Sequence, residues 1–240
     1  DRYNPSKDVF VMPEIFEGKT ALNQKITEIE KACNGFIIDH TDYYRNGVSS
    51  KIRKPADSLV YALNQKFEKE SNAYLKDYLH YRLAEFELNT GKGRKTVYQQ
   101  YFKSRTPSYK QLSYCNAFNI FYVEQLYPGT PKKFSNDLEV AVTANDFKKI
   151  MEIVALDSTL DSPEKQNLLV ATQFYFMGAE RVYPRTLTQS ILDSVKVRAN
   201  QQEIKLIAQN AQEILLNLAP GTKSPDFKFT DIVGNVYRLN

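Results

Sequence analysis

Apolar residues recur at helical spacing along most of this chain and alternate only near its end. Leu75, Tyr78, Leu79, Leu83 and Phe86 stand three or four apart, the spacing of one helix face, and Gly91 marks the stop. Leu59, Ala62, Leu63 and Phe67 repeat the period. Ahead of them, Thr20 reads as the N-cap of a first helix that runs toward Cys33 and stops at Asn34-Gly35. Phe36 to Lys54 is less regular and holds the turn signal Asn46-Gly47. A short helix is predicted over Val97 to Lys103. The next opens at Pro107, carries Tyr109, Tyr114, Phe118, Phe121 and Tyr122, and closes at Pro128-Gly129. Two shorter helices follow, the second capped by Asn145.

In the C-terminal third, Ser162-Pro163 is an N-cap with proline at the first helical position, where the missing N–H costs nothing. The helix behind it puts Leu168, Ala171, Thr172, Tyr175, Phe176 and Ala179 on one face. Thr186 with Gln189, and Asn200 with Glu203, resemble reciprocal capping pairs. Ile204, Ile207, Ala208, Ala211, Ile214, Leu215 and Leu218 then hold the period until Pro220-Gly221. The expected fold is all-α: an antiparallel array of about eight or nine helices over residues 20–219, after an extended lead-in over 1–19 with at most a short strand near Val9-Phe10-Val11-Met12. The tail over 220–240 changes period. Phe227-Lys228-Phe229-Thr230 and Val236-Tyr237-Arg238-Leu239 alternate around Gly234-Asn235, which reads as a β-hairpin. A lone hairpin is marginal in water, so it is expected to begin a second domain that is cut off here.

Composition narrows the function more by exclusion than by assignment. Of 240 residues, 42% are hydrophobic, enough for a packed core and too many for a disordered chain. Net charge is +4 with acids and bases intermixed, a poor footprint for nucleic acid, which needs a basic face. No apolar run approaches the roughly 20 residues of a membrane span. The chain starts at Asp1, a start given equally by removal of a leader and by excision from a longer protein. The two cysteines, Cys33 and Cys115, have no CxxC spacing. A single disulfide is one reading; two buried free thiols are the expected one.

The segment from Ala219 through Pro220, Gly221, Ser224, Pro225, Asp226 and Phe227 to Asp231 and Gly234 resembles the opening of TlpA-like and peroxiredoxin-like thioredoxin domains. Those commonly begin with G-x-x-(A/S)-P-D-F and a hairpin carrying D-x-x-G. The helical part resembles the segment that precedes the thioredoxin domain in a group of Gram-negative cell-envelope proteins. It does so through Tyr74-Leu75-Lys76-Asp77-Tyr78, Tyr81-Arg82-Leu83-Ala84, Tyr98-Gln99-Gln100-Tyr101-Phe102, Ile150-Met151-Glu152, Ala155-Leu156-Asp157-Ser158 and Ile191-Leu192-Asp193-Ser194. The resemblance implies a periplasmic or cell-envelope location, a neighbouring thiol-disulfide oxidoreductase domain as partner, and a parent that can carry a lipid anchor. Pro220, Gly221, Pro225, Asp226 and Phe227 would form the domain junction. The family's redox cysteine pair has no counterpart here, so no catalytic residue carries over.

Candidate sites are few. His40, between Asp39 and Thr41-Asp42, offers at most two metal ligands and reads as a loop histidine; His80 reads as a boundary residue of its helix. Gly91-Lys92-Gly93 lacks the strand and spacing of a phosphate loop and reads as a helix–helix turn. No metal, cofactor or catalytic residue is expected. Sixteen tyrosines are the least ordinary feature. Most suit core and boundary packing. Tyr43-Tyr44 reads as a loop pair, and Tyr98, Tyr101 and Tyr109 around a basic turn could line a groove for a client protein or peptide. The leading expectation is a non-catalytic accessory module that positions clients for a thioredoxin-like domain. A free-standing envelope scaffold is the alternative, and an enzyme of unrecognised type the third.

Overall fold

The computed structural model describes residues 21–42, 49–123, 125–128, 135–217, 228–230 and 235–238, and within them the chain is mostly helical. Ten α-helices and one π-helical turn are present among the described residues: α1 (Ala21–Asp39), α2 (Ser49–Lys66), α3 (Ala73–Asn89), α4 (Arg94–Val97) running into the π-turn Tyr98–Phe102, α5 (Leu112–Phe121), α6 (Ser135–Thr143), α7 (Phe147–Val154), α8 (Pro163–Ala179), α9 (Arg185–Arg198) and α10 (Gln202–Asn217). The count exceeds the expected eight or nine. Lys228–Thr230 pairs antiparallel with Val236–Arg238, Phe229 opposite Tyr237. The lead-in with Val9 to Met12, the cap Thr20, the loop with Tyr43-Tyr44 and Asn46-Gly47, and the junction residues Pro220, Gly221, Pro225, Asp226 and Phe227 lie outside the described residues.

The chain divides into two compact units, Asp1–Phe102 with Ser108–Phe121, and Lys103–Pro107 with Tyr122–Asn240. In the first, α3 packs against α1 and α5, and α1 against α2. Asn72 caps α3, its side chain accepting from the Leu75 N–H at 3.1 Å. The helix ends where Gly91, at φ 80°, lets Lys92 N–H reach the Glu87 carbonyl at 2.8 Å and Gly91 N–H reach Leu88 at 3.0 Å, a Schellman turn. Gly91 to Gly93 is therefore the helix–helix turn read from the sequence, and Gly93 leads into α4. An aromatic cluster fills this unit: Tyr81 meets Tyr114 edge-on at 4.9 Å, Phe102 lies 5.2 Å from Phe121, and the Arg94 guanidinium sits 4.5 Å over the Phe121 ring.

Several expected boundaries are corrected here. The first helix does not stop at Asn34-Gly35; α1 continues to Asp39. Its continuation is fixed by contacts, since Phe36 stands edge-on to Phe86 at 5.2 Å and Asn34 accepts from Arg82 at 2.7 Å. Two such contacts outweigh the roughly 1 kcal/mol that one glycine costs a helix. The end of the irregular stretch, Ser49 to Lys54, already belongs to α2, whose buried stripe is Ile52, Ala56, Val60 and Leu63, with Phe67 just past the end; Ala62 is exposed. Pro107 is followed by a turn, and α5 begins at Leu112 and ends at Phe121.

In the second unit α8, α9 and α10 pack pairwise, and α7 packs on α6 and α8. Ser162 caps α8 as expected, accepting from Lys165 N–H at 3.2 Å. The expected face is off by rotation: Phe176 and Ala179 are exposed, while Val170, Phe174 and Met177 are fully buried. α8 is apolar over most of its circumference, so its period selects no face. Asp146, and not Asn145, caps α7, accepting from Lys149 N–H at 3.0 Å; Asn145 takes a left-handed conformation at φ 54° and donates to Ser190. Thr186 lies inside the first turn of α9 behind the cap position Pro184. Its supposed partner Gln189 instead exchanges hydrogen bonds with Gln212 on α10, Nε2 to carbonyl in both directions at 3.2 and 3.0 Å. α10 opens at Gln202, with Lys205 N–H reaching the Gln201 carbonyl, and Asn200 lies ahead of that turn.

Candidate functional site

Helix α3 is covered on more than one side, and two of its faces border clefts in the first unit. Leu75, Lys76, Leu79, His80 and Leu83 project together at three- and four-residue spacing. With Asn64, Phe67, Glu68 and Glu70 from the α2 end, and Gln100 and Tyr101 from the π-turn, they enclose a cleft of about 330 Å³. Its floor is apolar, since Phe67, Leu75, Leu79 and Leu83 are buried, and its rim is polar, with Asn64, Glu68 and Lys76 exposed. An apolar floor with a few polar groups at the edge is the usual make-up of a binding pocket.

The π-turn presents Tyr101 to this cleft. One extra residue in the turn widens the backbone, a feature frequent at functional sites. Here it leaves the Tyr101 carbonyl to accept from His80 Nε2 at 3.0 Å, the two rings meeting at 4.9 Å. The Tyr101 hydroxyl receives a hydrogen bond from Gln100 Nε2 at 2.9 Å. Burial, and then the Glu87 carboxylate nearby, push its ionisation well above the ordinary phenol range, so Tyr101 is a neutral hydroxyl. Glu87, itself buried, is paired with Lys92. Of the three tyrosines read as a groove, Tyr98 and Tyr101 are buried and Tyr109 is half-buried; Tyr101 alone lines this cleft.

A second cleft, of about 260 Å³, borders Tyr78, Arg82 and Glu85 on another face of α3, together with Glu30 and Asn34 of α1 and Leu112, Ser113 and Asn116 of α5. Sequence reasoning missed it: Arg82 figures above only within a packing pattern. A signal was available, since Arg82 stands four residues after Tyr78 and three before Glu85 on a helix otherwise rich in apolar positions. That places a charge on a face with little reason to be wet.

The other candidates are structural. His40 stacks on Phe36 at 4.1 Å and its Nδ1 donates to the Phe36 carbonyl at 2.9 Å, and among the described residues no group of three metal-ligating side chains occurs. No described helix is long and apolar enough to cross a membrane. Both cysteines are free, Cys33 buried and Cys115 half-buried. Burial pushes the Cys33 thiol from 9.0 up to about 11, against the favourable field of Arg82, and also raises that of Cys115. Redox nucleophiles require the opposite shift. No protein-family model matches this chain, and searches of curated proteins and of solved structures gave no match.

The raised Cys33 value has a sign that can be tested. The folded state holds the thiol form, so its contribution to stability is complete below pH 9 and is lost as pH rises toward about 11. Cys33→Ala should be less stable than wild type at neutral pH, through the cavity left behind. The gap should narrow by roughly 2–3 kcal/mol at the alkaline end. Urea unfolding of both proteins at the two extremes checks this, and a gap that stays constant would refute the buried thiol as its source. Native Cys33 is likewise expected to resist a thiol-labelling disulfide at neutral pH.

Proposed function

We propose that this chain is a non-catalytic helical accessory module of a TlpA-like thiol-disulfide oxidoreductase of the Gram-negative cell envelope. In this reading the cleft beside the π-turn holds an extended segment of a client polypeptide for a thioredoxin-like partner domain. The observation that carries the client reading is the cleft itself: a buried floor of Phe67, Leu75, Leu79 and Leu83 under an exposed rim of Asn64, Glu68 and Lys76. Such a floor accepts apolar side chains of many shapes, while the rim carboxylate, amide and ammonium can satisfy the client's backbone groups. Two thiols held in their protonated form by burial fit a module that leaves redox chemistry to a neighbour. The P-D-F stretch ending at Phe227, followed by the short pair Lys228–Thr230 and Val236–Arg238, supports the family part of the reading.

The client part is tested by plugging the cleft from its rim. Asn64 is exposed and lines the cleft, so Asn64→Trp should fill it without disturbing the core. A fluorescently labelled, permanently unfolded protein is expected to bind the wild-type chain and to bind Asn64→Trp at least tenfold more weakly. That is about 1.4 kcal/mol, a modest share of what a buried side chain contributes. Equal binding by the two proteins overturns the assignment of the cleft. The family part is tested separately, by reading the gene past Asn240 for a Cys-x-x-Cys pair and by insulin reduction. The 240-residue chain alone should show no turnover beyond that of a Cys33→Ser, Cys115→Ser double variant.

A further inference from the structure

Acidic and basic residues are intermixed along most of this chain, but not between Glu87 and Glu124. Those 36 residues hold no Asp or Glu and six cations: Lys92, Arg94, Lys95, Lys103, Arg105 and Lys110. At the chain's average of 28 acids in 240 residues, about four would fall there. Taking these six from the 32 basic residues leaves 26 against 28 acids, a net of −2, so the whole excess of +4 comes from this one stretch. Two of the six have partners: Lys92 pairs with buried Glu87, and Arg94 lies over the Phe121 ring. Lys95, Lys103, Arg105 and Lys110 are exposed and form no ion pair with any described residue. In the first unit, Lys95 stands in the first turn of α4, where backbone dipoles favour an acid over a cation. In the second, Lys103 and Arg105 flank Ser104, which takes a left-handed φ of 57°. Asp161, which accepts from Ser104 N–H at 3.5 Å, is already paired with Lys165 at 2.7 Å.

We propose that the stretch from Lys92 to Lys110 docks an acidic segment of a partner polypeptide. Charge sets the sign of the partner, since an acid-free run of cations attracts a polyanion. The side chains between the cations select among polyanions. Those exposed include Thr96, Gln99, Ser104 and Thr106, hydroxyls and amides that can pair with a peptide backbone. The apolar ones, Val97, Tyr98, Tyr101 and Phe102, are buried. A bilayer surface calls for apolar side chains that insert into it, and a single nucleic-acid strand for exposed rings on which bases stack. This stretch offers neither. Asp and Glu carboxylates can take charge-assisted hydrogen bonds from lysine and arginine, and their backbone finds the neutral donors and acceptors between. The proposal does not rest on the client reading of the cleft beside the π-turn.

The test is a fluorescence-anisotropy titration of the whole 240-residue chain into a labelled peptide of alternating Glu and Ser. A Gln-Ser peptide of the same length is the neutral control. Saturable binding of the acidic peptide alone is expected, weakening roughly tenfold or more from low salt to about 0.3 M. Lys95→Gln with Lys110→Gln probes the first unit, and Lys103→Gln with Arg105→Gln the second. Each pair should weaken the peptide roughly three- to tenfold. Lys51→Gln with Lys54→Gln removes the same charge from exposed positions on α2 and should weaken it by about twofold at most. All six positions are exposed, so the variants should keep the wild-type circular dichroism. Three pairs that weaken binding alike would mean that only overall charge matters, and would overturn the surface. So would equal binding of the Gln-Ser peptide, or no saturation at low salt. Tighter binding of phosphatidylglycerol vesicles or of a DNA oligonucleotide, lost in the same two pairs, would overturn the choice of a polypeptide.

Discussion

Replacing Arg82 with methionine is expected to destabilise the chain by about 3 kcal/mol near neutral pH, at the low end of the 3–5 kcal/mol usual for stripping one partner from a buried ion pair. The guanidinium links three side chains, Glu30, Asn34 and Glu85. Methionine can occupy the space of its stem and nothing of its charge. Glu30 and Glu85, 30% and 18% exposed at their side chains, would be left with like charges and no cation. The discount from the upper figure reflects that partial exposure and the Tyr78 hydroxyl that still serves Glu30. The sign with pH follows from the carboxylates. Burial already raises Glu85, and Arg82 is what opposes the rise; without Arg82 the carboxyl holds its proton to still higher pH. A group raised in the folded state contributes in full below its unfolded value and loses that contribution as pH climbs through the folded one. The penalty should therefore shrink at about pH 4 and be complete at about pH 7. Arg82→Lys should recover less than half of the loss, because one ammonium cannot reach three partners in the directions a planar fork does. Urea unfolding of the three proteins at both pH values measures this. A loss under about 1 kcal/mol at neutral pH would mean that the network is only a surface pair in effect.

The parts of the fold that rest on local chemistry were legible in the sequence, and the parts that rest on contacts were not. Ser162 before Pro163 specified the start of α8 because cap and proline act within one turn. Gly91 specified the end of α3 because only its left-handed φ lets the Schellman bonds close. Asn34-Gly35 looked like an equal stop and was overridden, since Asn34 has a partner in Arg82 and Phe36 one in Phe86, both on α3 and far along the chain. The rotation of α8 was hidden for a related reason. A helix surrounded by neighbours is apolar on most sides, so periodicity loses its phase. The candidate sites divide in the same way. Tyr101 was found because tyrosines invite attention, yet the π-turn that aims it has no sequence signature. The Glu30, Arg82, Glu85 and Ser113 cleft draws on three helices, and no single stretch of sequence announces it.

Gly178 is a position where the second unit leaves no room for a side chain. It stands in the last turn of α8, and a Cβ built on it would lie 2.8 Å from Leu215 Cδ1 on α10, 2.8 Å from Thr188 Cγ2 on α9, and 3.3 Å from Leu215 Cδ2. The obstruction comes from two helices on two sides, so a shift away from one drives the new methyl into the other. Leu215 can change rotamer. Thr188 cannot easily do so: it is fully buried, β-branched and donates its hydroxyl to the Pro184 carbonyl at 3.4 Å. For Gly178→Ala two effects compete. The helix gains roughly 1 kcal/mol in propensity, and the overlap costs about 1–3 kcal/mol, so a net loss of about 1 kcal/mol is expected. Gly178→Val adds two more methyl groups at the same point and forgoes most of the propensity gain, and should cost about 3 kcal/mol or more. For a chain of this size that corresponds to a fall in Tm of very roughly 6–12 °C. Hydrogen exchange should place the loss in α9 and α10, where the reciprocal Gln189–Gln212 bonds would loosen as the helices part. Restoring room with Gly178→Ala plus Leu215→Ala gives the decisive comparison. If close packing is what glycine serves, the double variant loses less than the sum of its single changes. Strict additivity would mean that glycine at 178 serves the backbone of α8 and not its neighbours.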